Sequence, residues 1–308
     1  MKILIIGGTW FLGRAFAEKL TEEKKKPGSR YEDAQVWLLN RGSRPAPYGV
    51  TKSITADRHD AEALAGCDAY GRDFDLIVDF CAYEEGDIAA LIESLNVSFE
   101  QYIFISTCDV YAHFSEKPQD EEAELEKRLY PGQEGDYIRG KVKLEAELSK
   151  VCKEKNAHYT SIRPSMIYGP GNYAPREGIY FNWIEKAAQI LQPFDATGSF
   201  QPVFVEDVAQ AILLTGAEKE AYDRAFNVCG NEIHTYASFA KCLKDAVDKK
   251  FECVYMTVEE IEEKGIPLPF PLTAEESTLY TGERIMALGL CYTDLTQGLG
   301  KSYEAYGE

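Results

Sequence analysis

The stretch MKILIIGGTWFLGRAFAEKL, residues 1–20, decides how the rest of the chain is read. Met1 to Ile6 is an apolar, β-branched run without alternation, the pattern of a strand buried on both faces. Gly7 and Gly8 end it, and from Phe11 the apolar residues Phe11, Leu12, Ala15, Phe16 and Leu20 fall at helical spacing. Strand, glycine turn and helix in such close succession aim a helix N-terminus at an anion. Free backbone N–H groups and the positive end of the helix dipole favour a dinucleotide pyrophosphate there, and glycines let its oxygens approach the main chain. The candidate pyrophosphate site is therefore Gly7-Gly8-Thr9-Trp10-Phe11-Leu12-Gly13, with Trp10 where a G-x-x-G-x-x-G pattern has its middle glycine.

Outward from this turn, 308 residues are enough for a large core, as one domain or as a domain with a smaller lobe. No apolar run reaches the length of a membrane span and Met1-Lys2 leads straight into a strand, so a cytoplasmic protein without a membrane partner is expected. Eight cysteines are scattered without a C-x-x-C pair, and His59, His113, His158 and His234 are dispersed, so neither disulfides nor a metal site is expected. A formal net charge of −18 repels phosphate backbones, which disfavours nucleic acid as a partner.

Strand and helix patterns alternate through residue 165 and predict a doubly wound, mainly parallel α/β sheet. The expected strands are 35–40, 51–56, 74–80, 101–106 and 160–163, with helices at 88–95 and 137–152 and an exposed loop at 22–33. Residues 166–308 are richer in Pro, Gly and aromatics and read as a mixed substrate lobe. Helices are expected there at 179–191 and 237–248, strands at 202–208 and 225–228 returning to the main sheet, and a rigid loop at Pro267–Pro271.

At the end of the second strand, where an NAD site carries an acid for the ribose, stand Asn40, Arg41 and, three residues on, Arg44. Such a group suits a 2′-phosphate and tilts the expectation toward NADP over NAD; the alternative is a pair of solvated arginines. Tyr137-Ile138-Arg139-Gly140-Lys141 puts a phenol and an ammonium on one helix face, one turn apart. A phenol ionises near pH 10, and a neighbouring cation lowers that value toward a usable acid/base. Thr107, at the end of the fifth strand, offers a hydroxyl for the substrate oxygen. Alone, Y-x-x-x-K is more often a surface helix pair.

In this order the motifs resemble the extended and atypical short-chain dehydrogenase/reductases, the NAD-dependent epimerase/dehydratase family. They are GGTWFLG at 7–13, Asp57 after the third strand, STCDVY at 106–111, YIRGK at 137–141, RPSMIYGPGN at 163–172 and FVEDVAQAI at 204–212. The resemblance implies a Rossmann fold in which Thr107 polarises the substrate and Tyr137 is the acid/base. Lys141 would lower the tyrosine's pKa and hold the nicotinamide ribose. It also implies that Asp57, with Arg58 beside it, meets the adenine, that Cys81, Ala82 and Tyr83 line the cofactor, and that Asn172, Tyr173, Arg176, Tyr180 and Trp183 fall in the substrate region. Asp109, Asn172 and Arg176 are the candidate substrate contacts, and Arg163 reads as structural.

Three departures matter. Trp10 marks the GGT-x-F-[IL]-G branch, which includes bacterial reductase-like and chloroplast stem-loop-binding proteins. Cys108-Asp109 replaces the Asp-Glu pair of sugar-nucleotide dehydratases, and Phe200-Gln201-Pro202-Val203 replaces a diphosphate-binding arginine. The expectation is an NAD(P)-dependent oxidoreductase or epimerase acting on a small molecule, with a sugar derivative as one substrate class. The alternative is a non-catalytic dinucleotide sensor or an RNA-associated protein, and a homodimer stays open.

Overall fold

The computed structural model describes residues 1–112 and 117–307, so His113 lies outside the described residues. The first half runs β1 (Lys2–Ile6), α1 (Phe11–Glu23), β2 (Gln35–Asn40), β3 (Lys52–Thr55), α2 (Ala61–Ala65), β4 (Asp73–Asp79), α3 (Asp87–Leu95), β5 (Ser98–Ile105), α4 (Gln133–Lys155) and β6 (His158–Pro164). Then follow β7 (Met166–Tyr168), α5 (Glu177–Ala187), β8 (Gln189–Pro193), β9 (Pro202–Phe204), α6 (Val205–Thr215) and β10 (Arg224–Val228). The chain ends with α7 (Tyr236–Ala246), β11 (Glu252–Met256), α8 (Val258–Glu263), α9 (Glu283–Ala287) and α10 (Leu295–Glu304).

Among the described residues a seven-stranded sheet has the order β10-β6-β5-β4-β1-β2-β3, and each neighbouring pair is parallel. This is the doubly wound Rossmann arrangement expected from the alternation. Successive side chains of a strand point to opposite faces. On β1, Ile3 and Ile5 pack in a core with Phe16, Leu20 and Ile212, while Leu4 and Ile6 pack in another with Leu91 and Leu144. A strand buried on both sides needs apolar residues at every position, which is why β1 shows no alternation. The sheet order reverses between β1 and β4, and a crevice opens beyond their carboxyl ends.

The second half departs from the expected elements. The helix expected to reach residue 191 stops at Ala187; Ala188 takes φ +49° and Gln189–Pro193 becomes β8, paired with β11. Ile190 and Leu191 fit both a helical and a strand period, and a short apolar run does not choose between them. The strand expected at 202–208 keeps three residues, pairs with β7 outside the main sheet, and passes into α6 at Val205. Residues 224–228 do join the main sheet, beside β6. Within the loop expected at 22–33, α1 continues to Glu23 and Tyr31 is buried, its hydroxyl donating to Leu213 O at 2.7 Å. Residues 267–271 have no regular secondary structure, and Phe270 stacks on Phe200 with ring centroids 3.9 Å apart.

Candidate active site

A cleft of about 800 Å³ lies at the carboxyl ends of the strands. Its floor begins at the glycine turn. Gly7 takes φ +84°, and a Cβ there would overlap Cys81 Sγ; a Cβ on Gly13 would come within 2.5 Å of Gly7 O and 3.0 Å of Gly8 Cα. The turn is thus tight enough that only glycine fits at both positions. Phe11 takes φ +43°, uncommon for a bulky residue and a sign of local strain at the start of α1. Trp10 precedes the helix without a capping side chain, and the first turn holds no acid, so the positive end of α1 is open to an anion. Thr9, Trp10, Phe11 and Leu12 line the cleft with Gly7 and Gly13. Gly8 faces inward instead, its Cα packed toward Ile5 and Leu38.

Beyond the ends of β2 and β3, Asn40, Arg41, Arg44, Asp57 and Arg58 all border the cleft. Asn40 Oδ1 accepts from Gly42 N at 2.6 Å, shaping the turn that carries Arg41. Arg44 lies over Trp10 with its guanidinium carbon 4.1 Å from the ring centroid. Asp57 is exposed and its carboxyl sits below the ordinary value, chiefly through the His59 backbone N–H. Arg58 lines the cleft with a guanidinium committed to partners inside the protein. It is buried, donates to both carboxylate oxygens of Asp79 at 3.0 Å, and donates to Asp87 O at 2.9 Å. Tyr102 adds a hydroxyl to the same carboxylate at 2.6 Å. This network holds β4, β5 and the loop after β3 together, and a buried acid at the end of an apolar strand was its only sequence signal.

Thr107, Tyr137 and Lys141 come together at the other end of the cleft. Gly140 lets α4 approach the loop after β4, since a Cβ there would overlap Tyr83 O. Lys141 is 3% exposed and donates to Ala82 O at 2.9 Å and Ile105 O at 2.8 Å. Its ammonium lies 4.7 Å from the Tyr83 ring centroid and 5.7 Å from that of Tyr137. Burial pulls its pKa down to about 8, with Asp79 and Cys81 opposing. Tyr137 departs from the expectation of a lowered phenol. Burial first, and then the Asp109 carboxylate, push it above the ordinary value, with Thr107 and Arg176 acting in the opposite sense. Lys141 spends donors on two carbonyls and lies over the ring, whereas Asp109 acts on the phenol. Ala82, expected to line the cofactor, is fully buried and contributes its carbonyl to Lys141; Cys81 and Tyr83 do border the cleft.

Asp109, Asn172, Tyr173 and Arg176, the candidate substrate region, border the cleft with Ser165, Met166 and Ile167. Asn172 is engaged by its own loop, donating to Glu177 Oε2 at 2.9 Å and accepting from Ala174 N at 3.0 Å. Arg176 donates one Nη to Ile167 O at 2.6 Å. Trp10 Nε1 donates to Gly171 O at 3.1 Å and its ring lies 5.1 Å from Tyr173, so the glycine turn and this loop touch across the cleft. Tyr180 is a core residue, packed against Trp183, Phe239 and Phe270, and neither it nor Trp183 borders the cleft. Arg163 is locked to Glu145 and Tyr111 away from the cleft. Among the described residues no group of three or more His, Cys, Asp or Glu side chains has a metal-binding arrangement, and no helix is long and apolar enough to cross a membrane.

The model of the NAD dependent epimerase/dehydratase family matches residues 3–229. A chloroplast stem-loop binding protein of 41 kDa (form b) from Arabidopsis thaliana is 28% identical over 98% of this chain and 78% of its own length. Among solved structures, UDP-glucose 4-epimerase from Thermotoga maritima with UDP-glucose superposes with a TM-score of 0.74 at 19% identity, covering 99% of this chain and 98% of that one. The dTDP-glucose 4,6-dehydratase of Bacillus anthracis in complex with NAD gives a TM-score of 0.70 at 16% identity, covering 99% and 96%. At these identities the structural likeness is one of fold.

Proposed function

The chain belongs to the NAD dependent epimerase/dehydratase family, an enzyme family that uses a nicotinamide dinucleotide, and from that premise we propose that it is an NAD(P)-dependent oxidoreductase or epimerase-type enzyme acting at a hydroxyl or carbonyl carbon. The observation that carries this reading is the meeting of Thr107, Tyr137 and Lys141 at one end of a cleft whose other end is the glycine turn. The residues present fit the dinucleotide: the turn has no room for a Cβ at Gly7 or Gly13, and the start of α1 has no side chain or acid of its own competing for an anion. Asp57 and Arg41 would take the adenosine half, and Lys141 the nicotinamide ribose. When bound, the nicotinamide supplies or accepts the hydride.

Tyr137 gives or takes the proton on the substrate oxygen, and Thr107 holds that oxygen beside it. Lys141, cationic below about pH 8, stabilises negative charge developing near the Tyr137 ring. Arg176 is the cation at the substrate edge and favours an anionic or hydroxylated compound. A nucleotide diphosphate finds little support in the replaced motif: Phe200 is in the core, and Gln201 spends its amide on Gly230 O and Tyr280 O. With Asn40 at the end of β2 and Arg41 and Arg44 beyond it, NADPH is favoured over NADH.

The test is a fluorescence titration of the protein with NADPH and with NADH, exciting tryptophan. Trp10 borders the cleft at the turn, so bound cofactor quenches it by transfer to the reduced nicotinamide. Tighter NADPH binding is expected, and Arg41→Ala should erase about tenfold of the preference, the share of one charge-assisted hydrogen bond. Binding of neither cofactor would sink the reading. The Arabidopsis relative's name favours a second reading, binding of RNA stem-loops. The net charge of −18 opposes it, and absence of a gel shift at low salt would remove it.

A further inference from the structure

Lys141 borders the cleft and is nevertheless dry, at 3% exposure. An ammonium has three protons to give, and two of these go to Ala82 O at 2.9 Å and Ile105 O at 2.8 Å. Asp79, the acid at the end of β4, is taken by Arg58 and by the Tyr102 hydroxyl. What surrounds the ammonium is aromatic: the ring centroids of Tyr83, Phe104 and Tyr137 lie 4.7, 4.8 and 5.7 Å from Nζ. Phe104 belongs to β5 and is fully buried, whereas Tyr83 and Tyr137 border the cleft. A lysine at a cleft wall stays dry only under a cover, and the nearest ring on the cleft side is that of Tyr83, itself 48% exposed.

We propose that Tyr83 is a positioning residue for Lys141, a role that rests on the reading of Lys141 as the cation that serves Tyr137: its ring covers the ammonium from the cleft, keeps water off it and leaves it to the two carbonyls. The ring acts separately from the main chain that carries it. Asp87 Oδ2 accepts from Tyr83 N at 2.8 Å and Glu84 N at 3.1 Å, and the Glu147 carboxylate accepts from Gly86 N at 2.6 Å and Ala89 N at 2.7 Å. These bonds hold Ala82 O in place whatever side chain stands at 83. Among the described residues none bonds to the Tyr83 hydroxyl, so the ring alone is left to do the covering.

Two effects of the ring oppose each other. Its face attracts the cation, which favours the ammonium, and its bulk takes the place of water, which favours the amine. The charged groups around Lys141 come from several elements: Asp79 from β4, Cys81 from the loop after it, Asp87 from α3 and Arg58 from the loop after β3. The first three hold the proton and Arg58 opposes it, while β5 contributes a carbonyl and a ring without charge. Burial outweighs them and brings the lysine to about 8, so the displacement of water is the stronger effect. The Tyr83 ring thereby sets the pH at which the cation beside Tyr137 is lost.

The full-length protein labelled with carbon-13 and nitrogen-15 in lysine tests the cover without any ligand. The Lys141 resonance is the one lost in Lys141→Met, and its Cε shift follows the titration. Tyr83→Ala should raise the ratio of ammonium to amine at a given pH by about tenfold, moving the midpoint up by about one pH unit. Tyr83→Phe should keep the wild-type midpoint, because the ring is intact. An unchanged or lower midpoint in Tyr83→Ala would overturn the proposal, and so would Tyr83→Phe behaving like Tyr83→Ala. The wild type supplies an independent measurement: its Lys141 Nζ protons should exchange with water more slowly than those of the exposed Lys150, and equal rates would mean that no cover exists. Exchange faster in Tyr83→Ala than in Tyr83→Phe is the matching expectation for the variants. Failure of NADPH and NADH to bind bears on the functional reading alone.

Discussion

At the end of the cleft proposed for the dinucleotide the lining is main-chain atoms and exposed side chains: the crowded glycines 7 and 13, the open start of α1, Arg41 and Asp57. At the other end Thr107 and Lys141 are buried and Tyr137 is 38% exposed, and the surroundings move proton affinities, Lys141 downward and Tyr137 upward. Two buried cations sharpen the contrast. Arg58 faces a carboxylate and is held charged, whereas Lys141 has two carbonyls as hydrogen-bond partners and loses affinity for its proton. One end is shaped by backbone crowding; the other gathers protic and charged side chains.

Removing the proposed acid/base group gives the largest expected effect. Tyr137→Phe should cut turnover by about 10²–10⁴-fold on any substrate the protein converts, while leaving NADPH affinity unchanged. Turnover that survives the change would break the assignment of chemistry to this end.

Gly7→Ala attacks the other end. The new Cβ overlaps Cys81 Sγ at φ +84°, so a loss of about 1–3 kcal/mol in unfolding free energy and a loss of dinucleotide binding are expected. Gly28→Ala is the control: its φ of +78° is similar but nothing lies within 4 Å, so its cost should be about 1 kcal/mol and binding should persist. Equal losses in the two variants, by chemical denaturation, would mean that backbone strain and not crowding shapes the turn.

The smallest effect is a slope. Lys141 releases its proton near pH 8 when folded, against 10.5 as the ordinary value. Between those values the unfolded chain holds a proton that the folded chain has lost. Unfolding free energy therefore gains from this group as pH rises, by at most about 1.4 kcal/mol per pH unit, and the cost of burying the charge is felt in full below pH 8. The stability of the wild type relative to Lys141→Met should rise across that window in denaturation series. A flat difference would place Lys141 with Arg58, as a cation held charged by its surroundings.

The same division governed what could be read from the residues. The sheet half was legible because strands buried on both faces and amphipathic helices leave separate periods, and β2 runs from Gln35 to Asn40 as its apolar run predicts. The glycine turn and the Tyr137–Lys141 spacing were legible because local geometry demands those residues at those intervals. What escaped depends on contacts far apart in sequence. Arg58 turning inward requires Asp79, 21 positions on, and the raised phenol of Tyr137 comes from desolvation by its tertiary neighbours first and from Asp109 second. Helix α5 ends early because Gln189–Pro193 finds β11 more than 60 residues away. No local pattern encodes such partners.

The position of β10 has a consequence for how the protein is made. β6 ends at Pro164, but its outer neighbour in the sheet, Arg224–Val228, is translated only after β7, α5, β8, β9 and α6. A nascent chain that has assembled its first six sheet strands still presents β6 as an unpaired strand edge as it leaves the ribosome. Synthesis paused before residue 224 would yield an intermediate that a chaperone binds or that associates with its own kind, however complete its dinucleotide cleft.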